Sequence, residues 1–443
     1  MDGAAAMSSD GGDITSAGRW YTSAEMPAKT ARLRTQLYRS LPDEAAAAVR
    51  RAVALAGGLS VQLYAVGGAV RDLLLRAPLT DLDLVVEGDA TVLARRLGRE
   101  LGARVVGHAR FGTATVQTDG VHLDFVSARA ERYTRPGALP AVRAGSLADD
   151  LARRDFTINA MALRLTGRAV GGLLDPFDGC EDLSRGVVRV LHERSFQDDP
   201  TRVLRALRYA GRLGFRLERQ TAALLKRDLP YLDAVSGARL RRELERTASE
   251  ERVGRMLRLA RRVGVLRALH AALRPDDRAL RAIVRLPRVS SAPRDEVLCA
   301  LLLSSASSRA IGRAIDRLSM TAAQAAAARG YASLRAQERR LARPTLRPSR
   351  AVALLERYPV AAVEAFALAA TPLAARRARR YLDRWRFVRP ELSGRDLEAF
   401  GVPRGPRIGE ALALLRTAHL DGEARTREDD VKLVERFLRR SRG

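Results

Sequence analysis

From Pro42 to Ala56 (PDEAAAAVRRAVALA) apolar residues recur at helical spacing, with Asp43 and Glu44 in the first turn, where the helix dipole favours acids. From Val61 to Arg129 the pattern shortens to β-rich runs: VQLYAVG, DLDLVVEG, ARVVGH, GTATVQ and HLDFVSAR read as five strands. A helical stretch from Ala90 to Leu101 separates the second from the third. This predicts a small α/β sheet unit. Arg129 to Asp149 holds Pro136, Gly137, Pro140 and Gly145 without a clear period and reads as a long loop. Beyond Asp149 the pattern is almost wholly helical, with joints expected around Gly237, from Leu286 to Glu296 and from Leu341 to Arg350. The run from Ala322 to Ala328 (AAQAAAA) is helix-forming, and no repeat of 20 to 50 residues stands out.

The chain has 443 residues, enough for about three domains. Its 47% hydrophobic and 29% charged content excludes wholesale disorder and fibrous folds. Residues 1 to 18 are small, polar and aperiodic and read as a disordered leader, with Met7 and Met26 as alternative starts. Against 51 acidic residues stand 78 basic ones, a net charge of +27, which points to a polyanionic partner, nucleic acid first. All but Lys29, Lys226 and Lys432 of these are arginine; G+C-rich coding explains that bias, but the net charge survives the explanation. Two distant cysteines, Cys180 and Cys299, and five scattered histidines offer neither a disulfide framework nor a zinc spacing. No apolar run is long enough to span a membrane and the N-terminus lacks a signal-peptide pattern, so a cytoplasmic location is expected.

Chemistry concentrates in three places. At Ala65 the chain reads AVGGAVRDLLL: a strand ending in Gly67-Gly68 and turning into a helix presents backbone N–H groups to an anion, with Arg71 one turn on. Ten residues later comes Asp81-Leu82-Asp83. At i and i+2 on a strand both carboxylates leave one face, the arrangement that lets hard divalent cations be shared in two-metal phosphoryl transfer. Asp124, on the strand HLDFVSAR, either faces the same site or sits at the sheet edge. Further on, Asp199 and Arg202 (DDPTRVLRALR) have the i, i+3 spacing of one helical face. A carboxylate accepting from an exocyclic amine beside a guanidinium donating to a ring nitrogen selects cytosine and adenine over uracil and guanine. The same spacing also suits a surface ion pair.

The run GGAVRD followed by DLD resembles the first motif of the class II tRNA nucleotidyltransferase and bacterial poly(A) polymerase family. Arg153 to Ala162 (RRDFTINAMA) resembles that family's second signature, and Asp198 to Arg208 its E-D-x-x-R nucleobase motif, with Asp198 in place of the usual glutamate. The resemblance implies an α+β fold: a small mixed-sheet nucleotidyltransferase head followed by an all-helical neck, body and tail. The divisions expected are 1–41 leader and linker, 42–165 head, 166–235 neck with the nucleobase-reading helix, 236–340 body and 341–443 RNA-binding tail. It implies that Asp81 and Asp83 hold catalytic Mg2+, that Gly67, Gly68 and Arg71 meet the triphosphate, and that Arg154, Asp155 and Asn159 position nucleotide and ribose. Asp199 and Arg202 would read the base, with Arg205 and Arg208 reaching phosphate or base.

Ser393 to Gly422 is similar to the family's tail element, which lies against the far end of tRNA; a hairpin over Gly401 to Gly409 would offer Arg404 or Arg407 to phosphate. The implied reaction is addition of C and A from CTP and ATP to the tRNA 3′ end. The alternatives are a poly(A) polymerase, a CC-only or A-only enzyme and, from another class, a non-catalytic RNA-binding protein. Arginine pairs such as Arg376-Arg377 read first as a solvated helix face.

Overall fold

The structure is a computed structural model and describes residues 27–79, 81–108, 112–167 and 172–440; the expected disordered leader and alternative starts lie outside these. Within the expected leader and linker stands a helix, α1 (Pro27–Ser40). Its Leu33 and Leu37 are buried and its Gln36 amide donates to the carbonyl of Leu73 at 3.0 Å. Two leucines four residues apart are too sparse a stripe to stand out in sequence. The predicted helix from Pro42 is α2 (Asp43–Gly58).

All five predicted strands form: β1 (Gln62–Val66), β2 (Asp83–Glu87), β3 (Arg104–His108), β4 (Thr113–Gln117) and β5 (His122–Ser127). Helix α3 (Gly68–Leu74) follows β1, and α4 (Ala90–Leu101) runs between β2 and β3, capped by the Asp89 carboxylate and ended by Gly102 in the left-handed region. Asp81 lies just ahead of β2 rather than on it, and Asp83 is the strand's first residue.

Two expectations about secondary structure are corrected. The supposed loop from Arg129 to Asp149 is an antiparallel ribbon, β6 (Arg129–Arg132) against β7 (Ala141–Ala144), leading into helix α5 (Leu147–Ala152). Both faces of the ribbon are at least partly open to solvent, so no hydrophobic alternation marks it. The chain beyond Asp149 is also not wholly helical. Strands β8 (Ala162–Arg164) and β9 (Leu173–Leu174) extend the sheet past β1, and β10 (Val187–Val188) pairs in parallel with β11 (Arg216–Leu217). Runs of two or three residues are too short to display a period. Helix α6 (Gly179–Arg185) precedes β10, and α7 (Ser195–Asp198) and α8 (Arg202–Leu213) carry the third motif region.

The main sheet runs β3-β4-β5-β2-β1-β8-β9, antiparallel except for β2 with β5. One of its faces packs Tyr64, Val66, Val85 and Ala162 against Leu147 and Leu151 of α5. Asp83 shares a face with Val85 by strand alternation, which places it beside α5.

The chain divides into two compact units, the first through Ala234 and the second from Val235. The second is helical throughout its described residues, from Gly237–Ser249 to Arg427–Arg440, and interrupted at 285–293 and 342–347. The alanine-rich run lies in helix Ala322–Ala336. Arg377 is not on a solvated face: it is buried and donates to the carbonyls of Leu341, Arg343, Pro344 and Leu346, closing the 342–347 turn. Among the described residues no helix is long and apolar enough to cross a membrane.

Candidate active site

Gly67 makes the turn between β1 and α3 with φ +68°, and its N–H donates to the carbonyl of Met161 at 3.1 Å. A Cβ here would fall 2.4 Å from Nη1 of Arg154, so the glycine admits both the backbone conformation and the close approach of the second motif. Gly68 opens α3. Arg71, one turn on, is 2% exposed: Nε and Nη2 donate to Asp72 at 2.9 and 3.0 Å, and Nη1 donates to Oδ1 of Asn159 at 2.6 Å. Its guanidinium thus fastens the first motif to the second.

Asp83 on β2 pairs in register with Asp124 on β5, so both carboxylates leave the same face of adjacent strands. Asp124 accepts from the Thr115 hydroxyl at 2.5 Å, and Nε2 of His122 lies 3.6 Å from its other oxygen. Solvent reaches Asp83, yet the protein around it desolvates its carboxyl. Desolvation, followed by repulsion from Asp124, Asp81 and Asp150, raises its pKa against the pull of Arg154.

The second motif is built around Asp150, which is fully buried on α5. Its Oδ1 accepts from Nε and Nη2 of Arg153 at 2.9 and 2.5 Å, and its Oδ2 from Nη2 of Arg154 at 2.9 Å. Asp155, also buried, accepts from the Asn159 amide at 2.9 Å and pairs with Arg205 at 2.6 Å. Burial pushes this carboxyl up, but Arg205, Asn159 and Arg202 outweigh it and hold the pKa below the ordinary carboxylate value.

In the third motif the expected helical face is not realised. Asp199 follows α7 with extended backbone (φ −131°, ψ 95°), whereas Arg202 is the first residue of α8, because Pro200 separates the two helices. Asp199 accepts from the N–H and hydroxyl of Thr201. Arg202 is 4% exposed and donates to the Ser195 hydroxyl at 2.7 Å and the Arg153 carbonyl at 2.6 Å. Arg205 and Arg208, with Arg71, lie within 5.1 to 5.7 Å of the Tyr209 ring centre. A chain of contacts, Asp72–Arg71–Asn159–Asp155–Arg205, therefore crosses all three motifs.

Asp72, Asp150 and Tyr209 were not singled out from sequence. Asp150 could have been found from its i+3 and i+4 arginines, and Tyr209 from its place four residues after Arg205.

Among the described residues no three His, Cys, Asp or Glu side chains are gathered to enclose an ion. The carboxylates of Asp83 and Asp124, with Asp81 just ahead of β2, are the donor type that suits magnesium, which takes one or two carboxylates and completes its shell with water and substrate phosphates. The neighbouring carboxylates help raise the pKa of Asp83, a repulsion that a bound cation would relieve.

In the second unit, helices Gly394–Ala399 and Pro406–Asp421 flank the expected hairpin, and Gly401 and Gly405 take positive φ. Arg404 pairs with Glu398 at 3.0 Å, and Arg407 lies over the Phe437 ring. An open cleft nearby is lined by Arg386, Arg389 and Arg416 with Glu356, Tyr381 and Ser393.

Residues 63–189 match the poly A polymerase head domain family, and residues 214–275 match the family described as the probable RNA and SrmB-binding site of polymerase A. The A-adding tRNA nucleotidyltransferase of Geobacter sulfurreducens is 35% identical over 420 residues, 90% of this chain and 48% of that protein. This chain thus spans about half the length of that relative. The CC-adding tRNA nucleotidyltransferase of Deinococcus radiodurans is 32% identical over 386 residues, 86% of this chain and 91% of that one. The Thermotoga maritima CCA-adding enzyme, in a structure complexed with tRNA, superposes with a TM-score of 0.74 at 28% identity, covering 92% of this chain and 98% of that one. With three motifs meeting at one end of a mixed sheet and relatives matched along most of its length, the chain belongs to the class II tRNA nucleotidyltransferase and poly(A) polymerase family.

Proposed function

We propose that this chain adds nucleotides from CTP and ATP to the 3′ end of tRNA without a nucleic-acid template. The observation that carries the reading is the convergence of Asp83 and Asp124 on adjacent strands, beside the Gly67 turn and Arg154. Asp81 and Asp83 would hold magnesium, which when bound lowers the pKa of the attacking 3′-hydroxyl and neutralises charge on the phosphates. Arg154 presents positive charge at the Gly67 turn, where the triphosphate binds. Asp199 and Arg202 flank the base, and Asp124 orients the hydroxyl side of the site. The +27 charge supports an RNA substrate held largely through its phosphates.

A second reading, a divided share of the CCA end, is favoured by the A-adding and CC-adding relatives. Extension of three labelled tRNAs, ending at the discriminator base, at C and at CC, with CTP, ATP or both, separates the two. Growth to CCA from every start supports the complete activity. Addition of only the final A or only CC supports a divided one, long adenylate tails indicate a poly(A) polymerase, and no extension with magnesium removes the reading.

A further inference from the structure

We infer that Asp150 is a positioning residue that sets the nucleotide-binding arginines on both sides of the site. The inference rests on the nucleotidyl-transfer reading above. Asp150 is fully buried, and all the hydrogen bonds described for its carboxylate come from two consecutive arginines. Oδ1 takes the Arg153 fork and Oδ2 takes Nη2 of Arg154. Charge-assisted forks of this kind fix a guanidinium in direction as well as in distance.

Arg154 has little else to fix it. Its remaining described hydrogen bond is a long one, Nη1 to the Asn159 carbonyl at 3.5 Å, and its buried Nε has no acceptor. Asp150 therefore determines where Nη1 stands against Gly67, and at that place Arg154 also attracts Asp83. On the other side, Arg153 is held by Asp150 and by Glu131 of the ribbon at 3.1 Å. The backbone carbonyl of Arg153 receives Nη2 of Arg202. One buried carboxylate thereby sets Arg154 at the triphosphate turn directly, and Arg202 at the base through the peptide of Arg153. Asp150 itself need touch neither substrate.

The test compares the full chain with Asp150→Asn, which keeps the shape and removes the charge that two arginines share. Misplacing a positioning group by about 1 Å costs on the order of 100-fold in rate. We expect kcat/KM for the nucleotide to fall about 10- to 100-fold, chiefly through KM, with KM for tRNA unchanged. Discrimination of C and A against U should also weaken. Arg154→Lys should raise the nucleotide KM similarly, and the double variant should be no worse than the weaker single, because both changes act through one contact. If Asp150→Asn does not fold, Asp150→Glu carries the same expectation, since it keeps the buried charge and shifts the carboxylate by one methylene. A folded variant with the wild-type nucleotide KM, or a loss shared equally by tRNA and nucleotide, overturns the inference. Failure of the wild-type chain to extend tRNA would instead overturn the function it rests on.

Discussion

Asp83 and Asp124 stand opposite one another on β2 and β5, the parallel pair of an otherwise antiparallel sheet among the described residues. Side chains opposite each other on neighbouring strands share a face, so the second strand carries a carboxylate to the one that opens the first. The two are not equivalent. Asp124 accepts from Thr115 at 2.5 Å, whereas Asp83 feels the charges of Asp124, Asp81 and Asp150 against that of Arg154. On the proposed reading, Asp81→Asn and Asp83→Asn each reduce 3′-extension to background while tRNA still shifts in a gel, and chelating magnesium from the wild type does the same. Asp124→Asn should retain measurable turnover. Full activity in Asp83→Asn would remove the metal assignment.

Gly67→Ala should damage the site without replacing any ionisable residue. Its φ of +68° and ψ of −128° form a conformation that residues with a Cβ avoid, at about 1 to 3 kcal/mol, and the new methyl would displace Arg154. Gly57, near the end of α2, provides the contrast, because a Cβ there meets nothing within 4 Å. Gly57→Ala should gain about 0.5 to 1 kcal/mol from helix propensity and keep wild-type extension. Melting temperature and the nucleotide KM, measured on both variants, separate the local effect at Gly67 from a general one.

What could be read from the sequence follows the length and the period of each signal. The five strands from Val61 to Arg129 and the helices α2 and α4 announce themselves through apolar patterning, and the Gly67 turn through two glycines before a helix. The ribbon around Pro136 and Gly137 gives no such signal. It is held by backbone pairing, and by Glu131 taking Arg129, Arg153 and Tyr133. The site shows the same division. Motif residues were legible by type, but their partners were not. Arg71 reads as a phosphate ligand, yet its guanidinium is held by Asp72 and by Asn159, which lies 88 residues away in sequence. Spacing reports neighbours on one element, and Arg71–Asn159 is a contact between elements that only the fold creates.

Arg202 is held by two acceptors, the Ser195 hydroxyl and the Arg153 carbonyl. Ser195→Ala deletes one of them and leaves a buried guanidinium nitrogen with less to bind, a loss of about 1 to 3 kcal/mol locally. On the proposed reading this variant incorporates U or G in place of C and A more often, with a modest fall in rate, whereas Arg202→Ala loses base choice more completely. Competition of labelled CTP and ATP against UTP and GTP on one tRNA reports both. Unchanged base choice in Arg202→Ala would take it out of the reading pair.

The ion pair between Asp155 and Arg205 gives the prediction whose sign depends on pH. Burial alone would raise Asp155, and Arg205 is the largest of the influences that bring it below its ordinary value. The folded chain therefore releases this proton more readily than the unfolded chain does. The stabilisation is complete above the ordinary carboxylate pKa and is lost as pH falls through that value towards the depressed one. Arg205→Ala removes the largest of these influences, so the pKa of Asp155 should rise. At neutral pH the variant leaves a buried carboxylate without its main partner, which costs about 2 to 4 kcal/mol for a pair whose arginine is still partly hydrated. As pH is lowered the stranded carboxylate takes up a proton in the folded variant before it does so in the wild type, and the gap narrows. Hydrogen exchange at the amides of Phe156 to Met161, followed from pH 7 to pH 4 in both proteins after correction for intrinsic exchange, measures that gap where the pair sits. A difference that stays constant over this range would mean that Asp155 is not held ionised by Arg205.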